Sequence, residues 1–152
     1  MLKMKNYALF LFLMVLSLSL GCSKDDSSDP NNDPLGKTTY TLNEVNNSGV
    51  VGTVTISENK DGSSTVAIKL EGSTTDVHPA FIYHGNVSSD TEKAITLNAC
   101  TCETSTTKVS QLDNGTKISY DGLMAFNGNV RIHESATNET VVASGNIGVN
   151  GN

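Results

Sequence analysis

Val50-Val51-Gly52-Thr53-Val54-Thr55-Ile56-Ser57-Glu58, then Asn59-Lys60-Asp61-Gly62, then Ser63-Ser64-Thr65-Val66-Ala67-Ile68-Lys69-Leu70 is the stretch that decides the fold. Val50, Gly52, Val54 and Ile56 alternate with Thr53, Thr55 and Ser57. Val66, Ile68 and Leu70 alternate with Thr65, Ala67 and Lys69. Successive side chains of a strand point to opposite faces, so each run has one face fit for burial and one fit for water. Asp61-Gly62 suits the positive φ of a tight connection. The stretch predicts a hairpin with one buried face.

The same reading extends outward. Ile95, Leu97 and Ala99 alternate with Thr96, Asn98 and Cys100, which predicts a strand. Val109 to Leu112 leads into Asp113-Asn114-Gly115, a second hairpin signal, with Ile118 and Tyr120 on the return side. His78 to His84 reads as a central strand starting near Pro79. Val130 and Ile132 alternate with Arg131 and His133, and Val141 to Ile147 forms a last strand in which Gly145 suits a bulge. Helical spacing is confined to Tyr120–Phe126 and Glu134–Thr140, each long enough for a single turn in a connection. No fixed-period repeat occurs. The pattern predicts an all-β domain, an antiparallel Greek-key sandwich or flattened barrel of about seven to nine strands.

The N-terminus reads differently. Lys3 and Lys5 precede an apolar run from Ala8 to Leu20, too short for the ~20 residues a membrane-spanning helix needs. Leu18-Ser19-Leu20-Gly21-Cys22 resembles the processing box of bacterial lipoproteins, in which the Cys is lipidated and becomes the new N-terminus. Ser19 stands where that box usually has Leu. Residues 23–37 hold almost no apolar side chain and cannot offset their ordering entropy by burial, so a disordered linker is expected. Lys24-Asp25-Asp26 is similar to the acidic surface-export signal of Bacteroidetes-type lipoproteins. The expected organisation is a signal peptide over 1–21, a lipidated Cys22 and linker over 22–37, and a β domain over 38–152.

Charge supports that division. The chain of 152 residues has 10 Lys plus Arg against 16 Asp plus Glu, a formal charge of −6. Removing residues 1–21 takes away two lysines and no acid, which brings it to −8. An acidic surface excludes nucleic acid, whose phosphates demand clustered cations. Membrane attachment would therefore run through the lipid, each buried CH₂ of which adds ~0.8 kcal/mol, and not through basic residues.

Three blocks of the β region resemble the CHRD domain, a β-sandwich module named from chordin. They are Thr65–Gly72, His78-Pro79-Ala80-Phe81-Ile82-Tyr83-His84-Gly85, and Leu123–His133 followed by Val141–Gly148. The resemblance covers most of residues 45–150 and implies the same sandwich fold. The family often carries a His-x-His pair in the second block. Those positions are Phe81 and Tyr83 here, flanked by His78 and His84. No activity is carried over, because fold resemblance is not function.

Two constellations hold chemistry. His78, His84 and His133, with Cys100 and Cys102, are the available ligands for Zn or Cu. No spacing matches a known zinc pattern, and six residues of strand span about 20 Å, so His78 and His84 cannot share an ion unless the strand bends sharply. Half-buried histidines at strand ends are the plainer reading. Cys100-Thr101-Cys102 is a candidate disulfide in an oxidising compartment, strained because positions i and i+2 of a strand lie at the limit of disulfide geometry. Idle thiols and a metal or redox role stay open beside it. No motif for a nucleophilic serine, a zinc protease or a phosphate-cradling loop occurs, and no catalytic residue is assigned. The expected protein is a non-enzymatic lipoprotein of the bacterial outer membrane, exposed at the cell surface. It carries no obligatory cofactor and displays a CHRD-like binding or adhesion module to a protein or glycan partner. The alternative is a metal-binding or redox protein.

Overall fold

The computed structural model describes residues 35–73, 77–89 and 91–151. The expected signal peptide and the lipidation site Cys22 lie outside them. Ten strands follow in chain order: β1 (Lys37–Glu44), β2 (Val51–Glu58), β3 (Ser64–Glu71), β4 (Val77–His78), β5 (Ala80–His84), β6 (Lys93–Thr96), β7 (Cys100–Thr101), β8 (Thr104–Val109), β9 (Asn127–Ser135) and β10 (Asn138–Gly148). They form one curled, wholly antiparallel sheet in the order β4-β7-β8-β3-β2-β1-β10-β9-β5-β6. The curl makes a half-barrel, so the all-β expectation holds.

The hairpin read from residues 50–70 is present in its expected register, Val54 opposite Ile68 and Ile56 opposite Val66. All four are buried, as are Val50 and Leu70. Gly62 turns the chain at φ 79°, and its N–H donates to the Asn59 carbonyl at 2.9 Å. The alternation was sufficient here because both strands keep one face in water for their whole length.

Curling divides the sheet into two walls, and two segments turn the corners. β1 pairs with β2 through Lys37–Leu42, then with β10 through Asn43 and Glu44. β4 and β5 are separated only by Pro79, yet β4 lies on the β7 edge while β5 sits between β9 and β6. Proline has no N–H for a ladder, so it marks the point where the chain changes partners. The Pro79 carbonyl accepts from the His133 N–H at 2.9 Å, which ties the corner to β9. The two walls share one core: Leu42, Val54, Ile56 and Val66 from the first, Ile82, Val130, Ile132 and Ile147 from the second. Burying such side chains is the main stabilising term, about 1.5–3 kcal/mol each.

The structure departs from the sequence reading in four places. Ile95 and Leu97 are buried as expected, but Cys100 and not Ala99 is the next buried residue. The strand ends at Thr96, and Cys100 begins a strand of the other wall. The Asp113-Asn114-Gly115 turn forms, with Leu112 N–H bonded to the Thr116 carbonyl at 2.8 Å, but its return side keeps only the Gln111–Lys117 bridge. Tyr120 instead opens α1 (Tyr120–Met124), the single helical turn expected within Tyr120–Phe126. Ser119 caps it by accepting from the Gly122 N–H, and Asp121 lies in the first turn, where carboxylates are favoured. Its Leu123 is fully buried. Gly145 is no bulge: it stays in register with Val130, and the irregularities fall between Asn138 and Ala143. A Cβ at Gly145 would come within 2.1 Å of the Thr41 carbonyl oxygen, so its role is to let β1 approach β10. Glu134–Thr140 is the β9–β10 hairpin and not a helical turn.

Candidate functional site

Odd positions of β5 point outward. Ala80 and Ile82 are fully buried, and Phe81 and Tyr83 are half-exposed on the outer face. Register sets Phe81 opposite Arg131 of β9 on one side and Thr96 of β6 on the other. Arg131 and His133 alternate with the buried Val130 and Ile132, so they reach the same outer face. Three rings thereby gather. Phe81 meets Tyr83 edge-on at a centroid distance of 6.3 Å and His133 edge-on at 5.3 Å. Two cations lean on them: Lys93 Nζ is 3.5 Å from the centre of the Phe81 ring, and the Arg131 guanidinium carbon is 4.6 Å from that of Tyr83. Such contacts contribute roughly 0.5–1 kcal/mol each at exposed sites.

Hydrogen bonds fix the groups within this cluster. The Glu139 carbonyl lies 2.7 Å from His133 Nδ1 and can only accept, so Nδ1 carries the proton. Nε2 of neutral His133 then accepts from the Tyr83 hydroxyl at 3.2 Å. Burial pushes the Tyr83 phenol above its ordinary value; Arg131 opposes this and Glu139 adds to it. Asn129, fully buried, donates through Nδ2 to the carbonyls of Gly85 at 2.9 Å and Asn86 at 3.2 Å, and its Oδ1 accepts from Arg131 Nε at 2.9 Å. Arg131 also donates to the Ser89 carbonyl. Asn129 and Arg131 thus pin the turn after β5 to β9 and hold the rings in place.

The cluster floors a cavity of about 250 Å³. Pro79, Phe81 and Ala136 supply its apolar surface, and Tyr83, Lys93, His133, Ser135 and Glu139 its polar groups. A wider hollow of about 620 Å³ lies beside the Asp61–Lys108 ion pair. Its lining has no aromatic ring, and Ile118 is its one large apolar side chain. A mixture of apolar surface and a few convergent polar groups is what binding sites share, which favours the smaller cavity.

The three histidines named from the sequence do not meet there. His78 is buried in β4, donates through Nδ1 to the His133 carbonyl at 2.9 Å, and contacts Ser73 Oγ through Nε2. It braces the corner at Pro79. His84 is exposed at the far end of β5, its ring 5.1 Å from that of Phe126. Among the described residues, no three His, Cys, Asp or Glu side chains gather as a metal site would require. The expected Cys100–Cys102 bridge is not formed, since Cys100 is a free thiol. Cys100 points into the core opposite His78, while Cys102 lies on an exposed turn at φ 48° followed by Glu103 at φ 66°. That turn sends the two side chains apart. Burial pushes the Cys100 thiol up, and the nearby Ser105 hydroxyl opposes the shift.

Lys93, Arg131, Asn129 and Ser135 were not singled out by sequence. Arg131 and His133 were read as sharing a face by alternation, but their convergence with Phe81 and Tyr83 depends on the register of β5 against β9. Compared with known families and curated proteins, the chain matches no family model and no curated sequence.

Proposed function

We propose that this chain is a lipid-anchored protein of the bacterial outer membrane, displayed at the cell surface, whose CHRD-like β domain is a non-catalytic binding or adhesion module. The observation that supports it is the groove at Phe81, Tyr83 and His133. Rings standing on a rigid sheet, braced by buried hydrogen bonds, are preorganised for contact. Three features of the chain support the anchor: the Lys3/Lys5 and Ala8–Leu20 leader, the Gly21-Cys22 step and the acidic linker. His133 donates from Nδ1 to the Glu139 carbonyl and accepts at Nε2 from the Tyr83 hydroxyl, an arrangement that fixes the orientation of its ring.

Cells producing the full chain and cells producing Phe81→Ala/Tyr83→Ala test both halves of the reading. External protease should remove the domain from intact cells of both strains. Adhesion to polysaccharide- and protein-coated surfaces should fall only in the double variant. Complete protection from protease overturns surface display, and unchanged adhesion overturns the binding role of the groove.

A further inference from the structure

The groove at Phe81 has a charge pattern that selects among ligands. Two ion pairs occur among the described residues, Lys69–Glu71 and Lys108–Asp61, and neither involves Lys93 or Arg131. Arg131 is nevertheless committed, through Asn129 and the Ser89 carbonyl, to holding the turn. Lys93 is not. It is exposed, its ammonium rests on the Phe81 ring, and among the described residues no carboxylate pairs with it, on a chain with an excess of acids. A cation held over a ring without a counter-ion is placed to receive one from outside. Beside it, Pro79, Phe81 and Ala136 give a small apolar floor, and Ser135, Tyr83 and His133 bring hydroxyl and imidazole groups to the same cavity.

We infer that the groove binds a uronic-acid unit of an acidic polysaccharide. This rests on the binding-module reading above and narrows it to a substrate class. A pyranose ring offers an apolar C–H face for Phe81 and Pro79 and a rim of hydroxyls for Tyr83 and Ser135. Its carboxylate completes Lys93 with a charge-assisted hydrogen bond, which is roughly twice as strong as a neutral one. Glu139 shares the cavity, and its charge is felt at Tyr83. It accepts sugar hydroxyls and disfavours densely charged occupants such as phosphate or sulfate clusters. A cavity of about 250 Å³ suits one ring-sized unit of a longer chain.

The full chain in detergent should be tested by affinity electrophoresis and calorimetry against polygalacturonate, its methyl ester and neutral amylose. Polygalacturonate should retard it, and the methyl ester should bind at least ~10-fold more weakly, about the loss of one charge-assisted contact. Lys93→Met keeps the stem of the side chain and should lose about the same factor for polygalacturonate alone. Equal binding of acid and ester, or an unaffected Lys93→Met, overturns the uronate assignment; if Phe81→Ala still abolishes binding, the groove reading stands. Binding of none of the three polymers by folded protein overturns the glycan assignment, and the adhesion experiment then decides the groove reading separately.

Discussion

The outer faces of the two walls are built by the same rule and end up unlike. On β1, β2, β3 and β8 most outward positions are threonines, among them Thr39, Thr41, Thr53, Thr55, Thr65, Thr104 and Thr106, in unbroken register. Thr39 and Thr55 hydroxyls meet at 2.9 Å across the pair. On β9, β5 and β6 the outward positions carry Phe81, Tyr83, Lys93, Asn129, Arg131 and His133, and the ladder is irregular between Ile82 and Tyr83. Short β-branched hydroxyl residues satisfy themselves with water and neighbours and leave nothing projecting. Large rings must find edges, cations and hydrogen bonds to stand in water, and that requirement is what assembles a cavity. The lesson is that a sheet's inner face makes the fold and its outer face, where chain irregularity is tolerated, makes the site.

Core substitutions should show that the walls are one unit. Ile132→Ala and Leu70→Ala, from opposite walls and both fully buried, should each cost about 2–5 kcal/mol in urea unfolding. Two separate transitions in either variant would break the picture of a shared core. Asn129→Ala should come next, at about 1–3 kcal/mol, because it removes a buried amide that bonds the Gly85 and Asn86 carbonyls and Arg131 Nε. It should also loosen the aromatic groove, read as faster amide exchange in residues 84–89, while the threonine wall keeps its protection. Equal loosening of both walls would contradict the assignment of Asn129 as a local brace.

Alkaline pH gives a smaller effect. The raised Tyr83 value means that its stabilising contribution is complete below the ordinary phenol value of 10.0 and is lost as pH rises through the folded value. Tyr83→Phe should therefore show a shallower decline in urea midpoint above that pH than the parent. Tyr40, also raised by burial, should keep part of the decline in the variant. The least effect belongs to the threonine wall: exposed Thr53→Ala should stay within ~0.5 kcal/mol in thermal unfolding. A much larger loss would mean that this face also carries a brace.

Much of the fold was legible because the signals are local. Val54, Ile56, Val66 and Ile68 share a face by strand geometry alone, and Asp61-Gly62 names its own turn. The error at Ala99 and Cys100 has a physical cause: alternation says nothing about where one strand stops and the next starts in another wall. Gly145 misled for a related reason, since a bulge and a close approach by a distant strand both call for a missing Cβ. The site was legible only in part. Phe81 and Tyr83 were marked only as the pair standing at the His-x-His positions of the CHRD resemblance, and the partners that make them a groove lie on other strands.

By itself, then, the sequence determined an all-β chain, the buried faces of its strands and the turns between them, because period two and turn chemistry depend on neighbours along the chain. Tertiary structure alone decided that β4 and β5 part at Pro79, that His78 braces a corner while His133 faces a cavity, and that Lys93 rests on Phe81. Those outcomes depend on which strands pair and in what register, and pairing is settled by closing a common core between segments far apart in sequence.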